Sequence, residues 1–280
     1  MMAELINRRA MKEEARELLR DAQVSPKAIT AVYLLLILAM NLVDSLTGTG
    51  VLATFVSILV SLLGVVLEAG FVFYCRAVRR GERAEFLALF DGFSFAGKII
   101  GLSLLKYLLI YLWSMLFVIP GIVASYRYRF ALYNLCEDPE MSIFEALSLS
   151  KRQTMGYKGQ LLTLDLSYLG WSLLAAVPSL IYSIAFYQLL FQEMAALSGF
   201  VFQPAAWTSV VHLLPAWGWT LVMGLWELAV AVFYLPAYQC VELGYFETAK
   251  TTSGVGRGTP PHQDSSYWGR RDGPDDLGGY

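Results

Sequence analysis

Charged residues are scarce in this chain, which excludes an ordinary soluble domain. Lys, Arg, Asp and Glu make up only 16% of its 280 residues, whereas 56% are hydrophobic. Soluble domains are usually about 25% charged and about 45–50% apolar. The apolar residues form runs of roughly 17 to 30, which is long enough to cross a hydrocarbon core of about 30 Å. The composition therefore predicts an all-α, polytopic transmembrane helical bundle.

The residue types and spacings of common catalytic and metal sites are also missing. The chain has two histidines, His212 and His262, which excludes a histidine-rich metal cluster. It has no CxxC, HExxH, GxSxG or P-loop spacing. Ser150 beside Lys151 imitates a Ser–Lys nucleophile pair, but adjacent residues on a helix do not face each other. We therefore expect no catalytic residue, metal site or cofactor, and predict a protein that is not an enzyme.

Basic residues are absent from two stretches that would face outward. All 21 Lys and Arg residues lie within 8–27, 76–106, 127–158 and 250–271, and the turns near 46–50 and 192–206 have none. The positive-inside rule then places both termini and both basic loops in the cytoplasm. Each return to that side needs an even number of crossings. We predict six spans, at about 27–46, 51–75, 99–119, 121–136, within 160–190, and 215–238.

Both ends of the chain differ from this middle part, which forms a predicted membrane domain at 27–249. Residues 1–26 are charged and lack the apolar core of a cleavable signal peptide. Apolar residues at helical spacing within 3–21 predict an amphipathic helix, which either lies on anionic headgroups or caps the bundle as a solvated helix. Residues 250–280 are rich in Gly, Pro and Ser, which predicts a disordered cytoplasmic tail. A net charge of −2 argues against binding nucleic acid.

The stretch from Trp113 to Gly156 carries the clearest local signals. Pro120-Gly121 breaks the apolar run, because proline lacks an amide donor and glycine permits positive φ. A hairpin turn at the outer surface and one long kinked span both fit this break, and the crossing parity favours the hairpin. Ser142 and Glu145 have the spacing of a capping box, and Gly156 stands where a helix C′ residue is expected. A cytoplasmic helix is predicted between them, and a short interfacial helix within residues 85–98.

Ionisable residues inside the predicted spans are the unusual feature. They are Glu68, Lys106, Arg127, Arg129, Asp165 and Glu227. Such groups are costly in hydrocarbon and usually pair or line a cavity. The side chains of the three basic residues could extend to the cytoplasmic headgroups, but this explanation does not apply to Glu68 and Glu227. We predict a charge-balanced polar layer in which Arg127 or Arg129 pairs with Glu68, Asp165 or Glu227.

Several of these motifs resemble the DUF975 family of bacterial integral membrane proteins. The resemblance covers roughly residues 8–249, and its most specific parts are Pro120-Gly121, Tyr126-Arg-Tyr128, Asp138-Pro139-Glu140, Glu145-Ala146, Met155-Gly156, Leu164-Asp165 and Gly170-Trp171. The family is itself related to the membrane domain of some glycerophosphodiester phosphodiesterases, whose separate soluble domain this chain lacks. The resemblance implies a fold, a topology and a place in the bacterial cytoplasmic membrane. It implies no activity.

Two hypotheses on function follow. The first is a non-enzymatic membrane component that binds membrane lipids or protein partners. The second is a small carrier or lipid translocator that uses the polar layer as its path. A closed bundle with internal ion pairs would favour the first, and a large ligand-sized space between spans would favour the second. The sequence carries no indication of an oligomeric state.

Overall fold

The computed structural model describes residues 6–22, 24–82, 85–197 and 206–252, and this part of the chain is helical, without a strand. Its α-helices are α1 (Arg8–Asp21), α2 (Pro26–Leu46), α3 (Val51–Arg79), α4 (Ala96–Leu116), α5 (Val118–Arg127), α6 (Ala131–Glu137), α7 (Ile143–Gln153), α8 (Lys158–Leu197) and α9 (Ala216–Thr252). Two 3₁₀ segments, Phe86–Phe95 and Ala206–His212, precede α4 and α9. The predicted all-α fold is confirmed.

Long apolar helices dominate the described residues. Five stretches are long and apolar enough to cross a membrane: Pro26–Leu46, Val51–Arg79, Phe86–Leu116, Lys158–Ala195 and Ala216–Thr252. Many of their large apolar side chains stay exposed, which in a soluble protein would be a large unfavourable patch. These are the helices of a membrane protein.

The fourth predicted span, 121–136, is not one helix. Phe117 is extended between α4 and α5, and the chain then folds back so closely that a Cβ on Gly121 would lie 2.1 Å from Oγ of Ser114. The predicted hairpin is therefore present, with Pro120 in the first turn of α5. The helix breaks at 128–130 before α6 begins, so the prediction of a continuous span is wrong.

After the hairpin, the residues around the end of α6 contact the start of α4 and the end of α3. Lys98 Nζ, at the start of α4, donates to the Pro139 carbonyl at 2.6 Å, and Arg76 near the end of α3 donates to the Cys136 carbonyl. We call this end of the bundle, which also holds Arg79, the basic end. The buried core is concentrated there, in α6 and in the adjoining parts of α3 and α9.

The helix between Ser142 and Gly156 forms as its capping residues predict. The Ser142 hydroxyl accepts a hydrogen bond from the Glu145 amide at 3.2 Å, which satisfies a backbone donor of the first turn. Gly156 follows α7 with φ of 86°, a conformation that favours glycine. The cap is confirmed, whereas α7 ends at Gln153 with Thr154 as its C-cap, so Gly156 lies one residue beyond the predicted C′ position.

The predicted short helix before α4 is also present, but it packs along α3. A Cβ on Gly70 would lie 1.9 Å from the Leu89 carbonyl oxygen, and one on Gly92 would lie 2.7 Å from that of Val66. Val66 and Gly70 lie roughly 14 to 20 Å before the end of α3, at 1.5 Å per residue. The 3₁₀ segment Phe86–Phe95 therefore enters the bundle beside α3, whereas an interfacial helix would lie across its end.

Two helices exceed the spans predicted for them. α8 continues through Pro178 to Leu197, and α9 continues through Pro236 to Thr252, well past the predicted limit at Tyr238. Most of the predicted linker, residues 198–205, and most of the predicted tail, residues 253–280, lie outside the described residues.

Candidate functional site

Arg129 is the centre of five polar side chains that we call the Arg129 hub; the others are Tyr126, Asp165, Tyr238 and Glu242. Its guanidinium binds the Asp165 carboxylate twice, Nη1 to Oδ2 at 2.7 Å and Nη2 to Oδ1 at 3.0 Å. Its Nε donates to Oε1 of Glu242 at 2.6 Å, and Nη2 also donates to the Tyr238 hydroxyl. Both tyrosine hydroxyls donate to Asp165 at 2.7 Å. The predicted pairing of Arg129 with Asp165 is therefore present.

The break between α5 and α6 allows Arg129 to reach two other helices. Asp165 lies on α8, and Glu242 lies on α9. Ser150 of α7 compensates for backbone bonds lost at the break: its hydroxyl accepts from the Phe130 amide at 3.1 Å and donates to the Arg127 carbonyl at 2.9 Å. The Ser150 hydroxyl is fully buried and bonded on both sides, which is a structural role and not the geometry of a nucleophile.

The other predicted polar-layer residues lie elsewhere. The Arg127 guanidinium lies over the Trp113 ring at 5.9 Å, and its Nε is buried without a hydrogen-bond partner. Lys106 Nζ lies 4.9 Å from the ring centre of Tyr107, the next residue in the chain, and interacts electrostatically with Glu68. Neither Glu68 nor Lys106 forms an ion pair within 4.0 Å in the described part of the chain.

Glu227 lines a separate cavity between α2 and α9. The cavity has a volume of about 330 Å³, and its polar lining also includes Asn41, Asp44, Ser45 and Thr220. Asp44 accepts a hydrogen bond from the Ser57 hydroxyl at 2.5 Å. The six predicted residues thus occupy four places, and among them only Arg129 and Asp165 form an ion pair within 4.0 Å.

Sequence reasoning missed two residues that tie the basic end together. Glu242 lies four residues beyond Tyr238, the predicted end of the last span, yet its side chain is only 5% exposed. Arg79 is one of the basic residues that follow the second predicted span, yet its side chain is only 5% exposed and pairs with Glu14 at 3.2 Å and Glu247 at 2.7 Å. The signal for Glu242 was its position one helical turn after Tyr238 on an uninterrupted helix.

α1 packs against the bundle at the basic end. Its residues contact the start of α8, where Lys12 Nζ donates to the Ser167 hydroxyl at 2.9 Å and lies 4.1 Å from the centre of the Tyr168 ring. Partial burial, with repulsion from Arg8 and Arg16, lowers the pKa of Lys12 below its ordinary value. The structure thus shows α1 packed against the bundle, with Ala15 fully buried.

A groove opens between α1, the start of α2, α8 and α9, and we call it the basic groove. Its volume is about 610 Å³, within the usual range of ligand pockets. Its lining is Arg16, Leu19, Arg20, Ala22, Ser25, Pro26, Lys27, Tyr168, Trp171, Val232, Phe233, Tyr234, Pro236 and Ala237. Trp171, part of the Gly170-Trp171 motif, stacks on Tyr234 with ring centres 6.1 Å apart and forms part of the wall.

These arrangements differ in what they can do chemically. The Arg129 hub consists of charges that satisfy one another, which suits the locking of helices. The basic groove combines cations with aromatic surface, which suits an amphiphilic ligand. In the described residues, no three His, Cys, Asp or Glu side chains are grouped so that they could hold a metal ion.

The comparisons with known proteins bear on the second half of the chain. The family described as "Protein of unknown function (DUF975)" matches residues 115–251, a narrower range than the predicted resemblance over 8–249. The match includes the Arg129 hub and the α8 and α9 walls of the basic groove, but not α1 or α2. No curated protein and no solved structure matches the chain.

Proposed function

We propose that this chain, whose residues 115–251 belong to the DUF975 family, is a non-enzymatic membrane component that binds lipid in the basic groove. The groove is the observation that carries the proposal. It lies where three long apolar helices meet α1, so one side adjoins apolar helix surface and the other carries charge. In the membrane of a cell, the basic end would face the cytoplasm.

The Arg129 hub supports a binding role over transport. A translocation path through the hub would have to separate Arg129 from two carboxylates, one of them on an almost fully buried side chain. Separating such a pair leaves a charge without its partner, which costs several kcal/mol. The hub therefore acts as an internal fastening between the turn at 128–130, α8 and α9.

A small carrier is the second candidate, and the cavity beside Glu227 favours it. This cavity has polar side chains from both α2 and α9, although each helix has a segment long and apolar enough to cross a membrane. Carriers place such groups along their substrate path. If transport is the function, Glu227→Gln should abolish it while leaving lipid binding in the basic groove intact.

Lipid retention tests the binding proposal. The full-length protein is extracted from membranes in mild detergent, washed, and analysed for bound lipid per protein. Ala237→Phe places a large ring in the groove and should lower retention several-fold. Ala229→Phe, on an exposed face of the same helix outside the groove, is the control and should retain lipid like the wild type. The proposal fails if the wild type retains no lipid, or if both variants behave alike.

A further inference from the structure

We infer that the basic groove selects an anionic phospholipid, whose phosphate is held by Arg16, Arg20 and Lys27; this inference rests on the proposed lipid binding. Arg16 and Arg20 are four residues apart on α1 and therefore lie on the same face of it. Lys27 stands in the first turn of α2. All three line the groove, and all three side chains are exposed to it and to solvent.

These three cations lack the acidic partners that other basic residues at this end have. Arg79 pairs with two glutamates, and Arg80 and Lys250 both pair with Glu137. In the described part of the chain, no ion pair within 4.0 Å involves Arg16, Arg20 or Lys27. An uncompensated positive charge is thus concentrated in one place, on a chain whose net charge is −2.

Two acidic residues of α1 are directed away from the groove. No Asp or Glu lines the groove among the described residues. On α1, Glu14 pairs with Arg79, and Asp21 lines a different cavity between α1 and α3. The N-terminus of α2 adds to the positive potential, since Ser25 lines the groove and its side chain forms no cap on the helix.

The aromatic wall identifies the ligand as a lipid and not as a free phosphate. Tyr168, Trp171 and Tyr234 form one side, and aromatic residues of this kind mark the headgroup level of membrane proteins. Lys27 Nζ lies 4.9 Å from the centre of the Phe233 ring, so charge and apolar surface adjoin within the groove. Basic pockets between membrane helices on the cytoplasmic side bind anionic headgroups. A phosphodiester with acyl chains fits both halves of this lining.

Native mass spectrometry of the full-length protein in detergent tests the headgroup. The protein is titrated with phosphatidylglycerol, with phosphatidylcholine of the same chains, and with free glycerol phosphate. We expect phosphatidylglycerol to bind about tenfold or more tightly than phosphatidylcholine, and glycerol phosphate not to bind. Arg16→Gln with Arg20→Gln and Lys27→Gln should remove this preference. The control combines Arg9→Gln, Lys151→Gln and Arg152→Gln, which makes the same charge change at exposed residues outside the groove and should keep the preference.

The outcomes separate the two proposals. Equal binding of both lipids, with Ala237→Phe still reducing it, overturns the headgroup inference and leaves the lipid-binding function standing. Binding of neither lipid overturns both. The inference is also overturned if the control variant with three substitutions loses the phosphatidylglycerol preference to the same extent. Binding of glycerol phosphate as tight as that of phosphatidylglycerol overturns it as well. If the variant with all three groove substitutions does not fold, the salt dependence of the wild type is measured instead. Raising NaCl from 50 to 500 mM should screen the charges and weaken the preference for phosphatidylglycerol. A preference that does not depend on salt contradicts the inference.

Discussion

Arg129 holds the Asp165 carboxylate through two hydrogen bonds of 2.7 and 3.0 Å, so the turn after α5 is tied directly to α8. The same guanidinium binds Glu242, which brings α9 into the same fastening. The hub thus lies within the part of the chain that matches the DUF975 family, and it joins three of the elements found there. Its contribution to stability can be measured by removing the cation and one acid separately and together.

Arg129→Met should lower the free energy of unfolding by about 3–5 kcal/mol, because it leaves the buried Glu242 carboxylate without its partner. Adding Glu242→Gln should restore part of this loss, since the unpaired charge is then gone. Unfolding in mixed micelles, followed by circular dichroism, measures both. Glu140→Gln, at an exposed acid without an ion pair in the described residues, is the control and should change stability by about 0.5 kcal/mol or less. Additive losses in the double variant would contradict a coupled hub.

Gly70→Ala should be strongly destabilising. The added Cβ would lie 1.9 Å from the Leu89 carbonyl oxygen, so the 3₁₀ segment Phe86–Phe95 would have to move away from α3. Gly97→Ala is the matched control, because its Cβ would meet no other atom within 4 Å and alanine favours the helix there. We expect the melting temperature to fall for the first variant and to stay or rise for the second. Equal melting temperatures would show that the segment does not pack on α3.

The sequence predicted the features that depend on neighbouring residues. Ser142 and Gly156 delimit α7 through local backbone chemistry, and Pro120-Gly121 locates the hairpin to within a few residues. Hydropathy also predicted the starts of the long helices well. It failed at the end of α9, because hydropathy measures where a membrane span stops, whereas a helix continues until a capping residue or a breaker ends it.

The features that the sequence did not predict depend on which helix faces meet. The partners of Arg129 could be narrowed to three acids, but Glu242 enters only because α9 continues past Tyr238 and turns this residue toward the break at 128–130. The break itself is stabilised by Ser150, twenty residues after Phe130, through contacts that no local pattern encodes. The basic groove combines α1 with α8 and α9, which are far apart in sequence.

Ser142→Ala should loosen the start of α7, because it removes the oxygen that accepts from the Glu145 amide. The expected cost is about 0.5–2 kcal/mol of local stability. Faster hydrogen exchange of the amides across residues 143–150 measures it. Ser142→Asp supplies another capping oxygen and should keep exchange slow. Unchanged exchange in the alanine variant, or equal acceleration in both, would count against the cap.

The last prediction concerns orientation in the membrane, and α3 provides the two test positions. Thr47 lies just before this helix and Glu82 just after it, and its 29 residues separate the two ends by roughly 43 Å. The positive-inside rule places Thr47 outside and Glu82 in the cytoplasm, because the basic residues of this region lie in the last turn of α3 and after it. Intact cells that express Thr47→Cys should react with a membrane-impermeant maleimide, whereas Glu82→Cys should react only after permeabilisation.

Glu82 is preferable to its neighbour Gly81 as the test position, because the φ of 67° at Gly81 disfavours a side chain. The native cysteines, Cys75, Cys136 and Cys240, are buried, so the background should be low. Labelling of Glu82→Cys in intact cells would reverse the orientation, and with it the side of the membrane on which the basic groove meets its lipid.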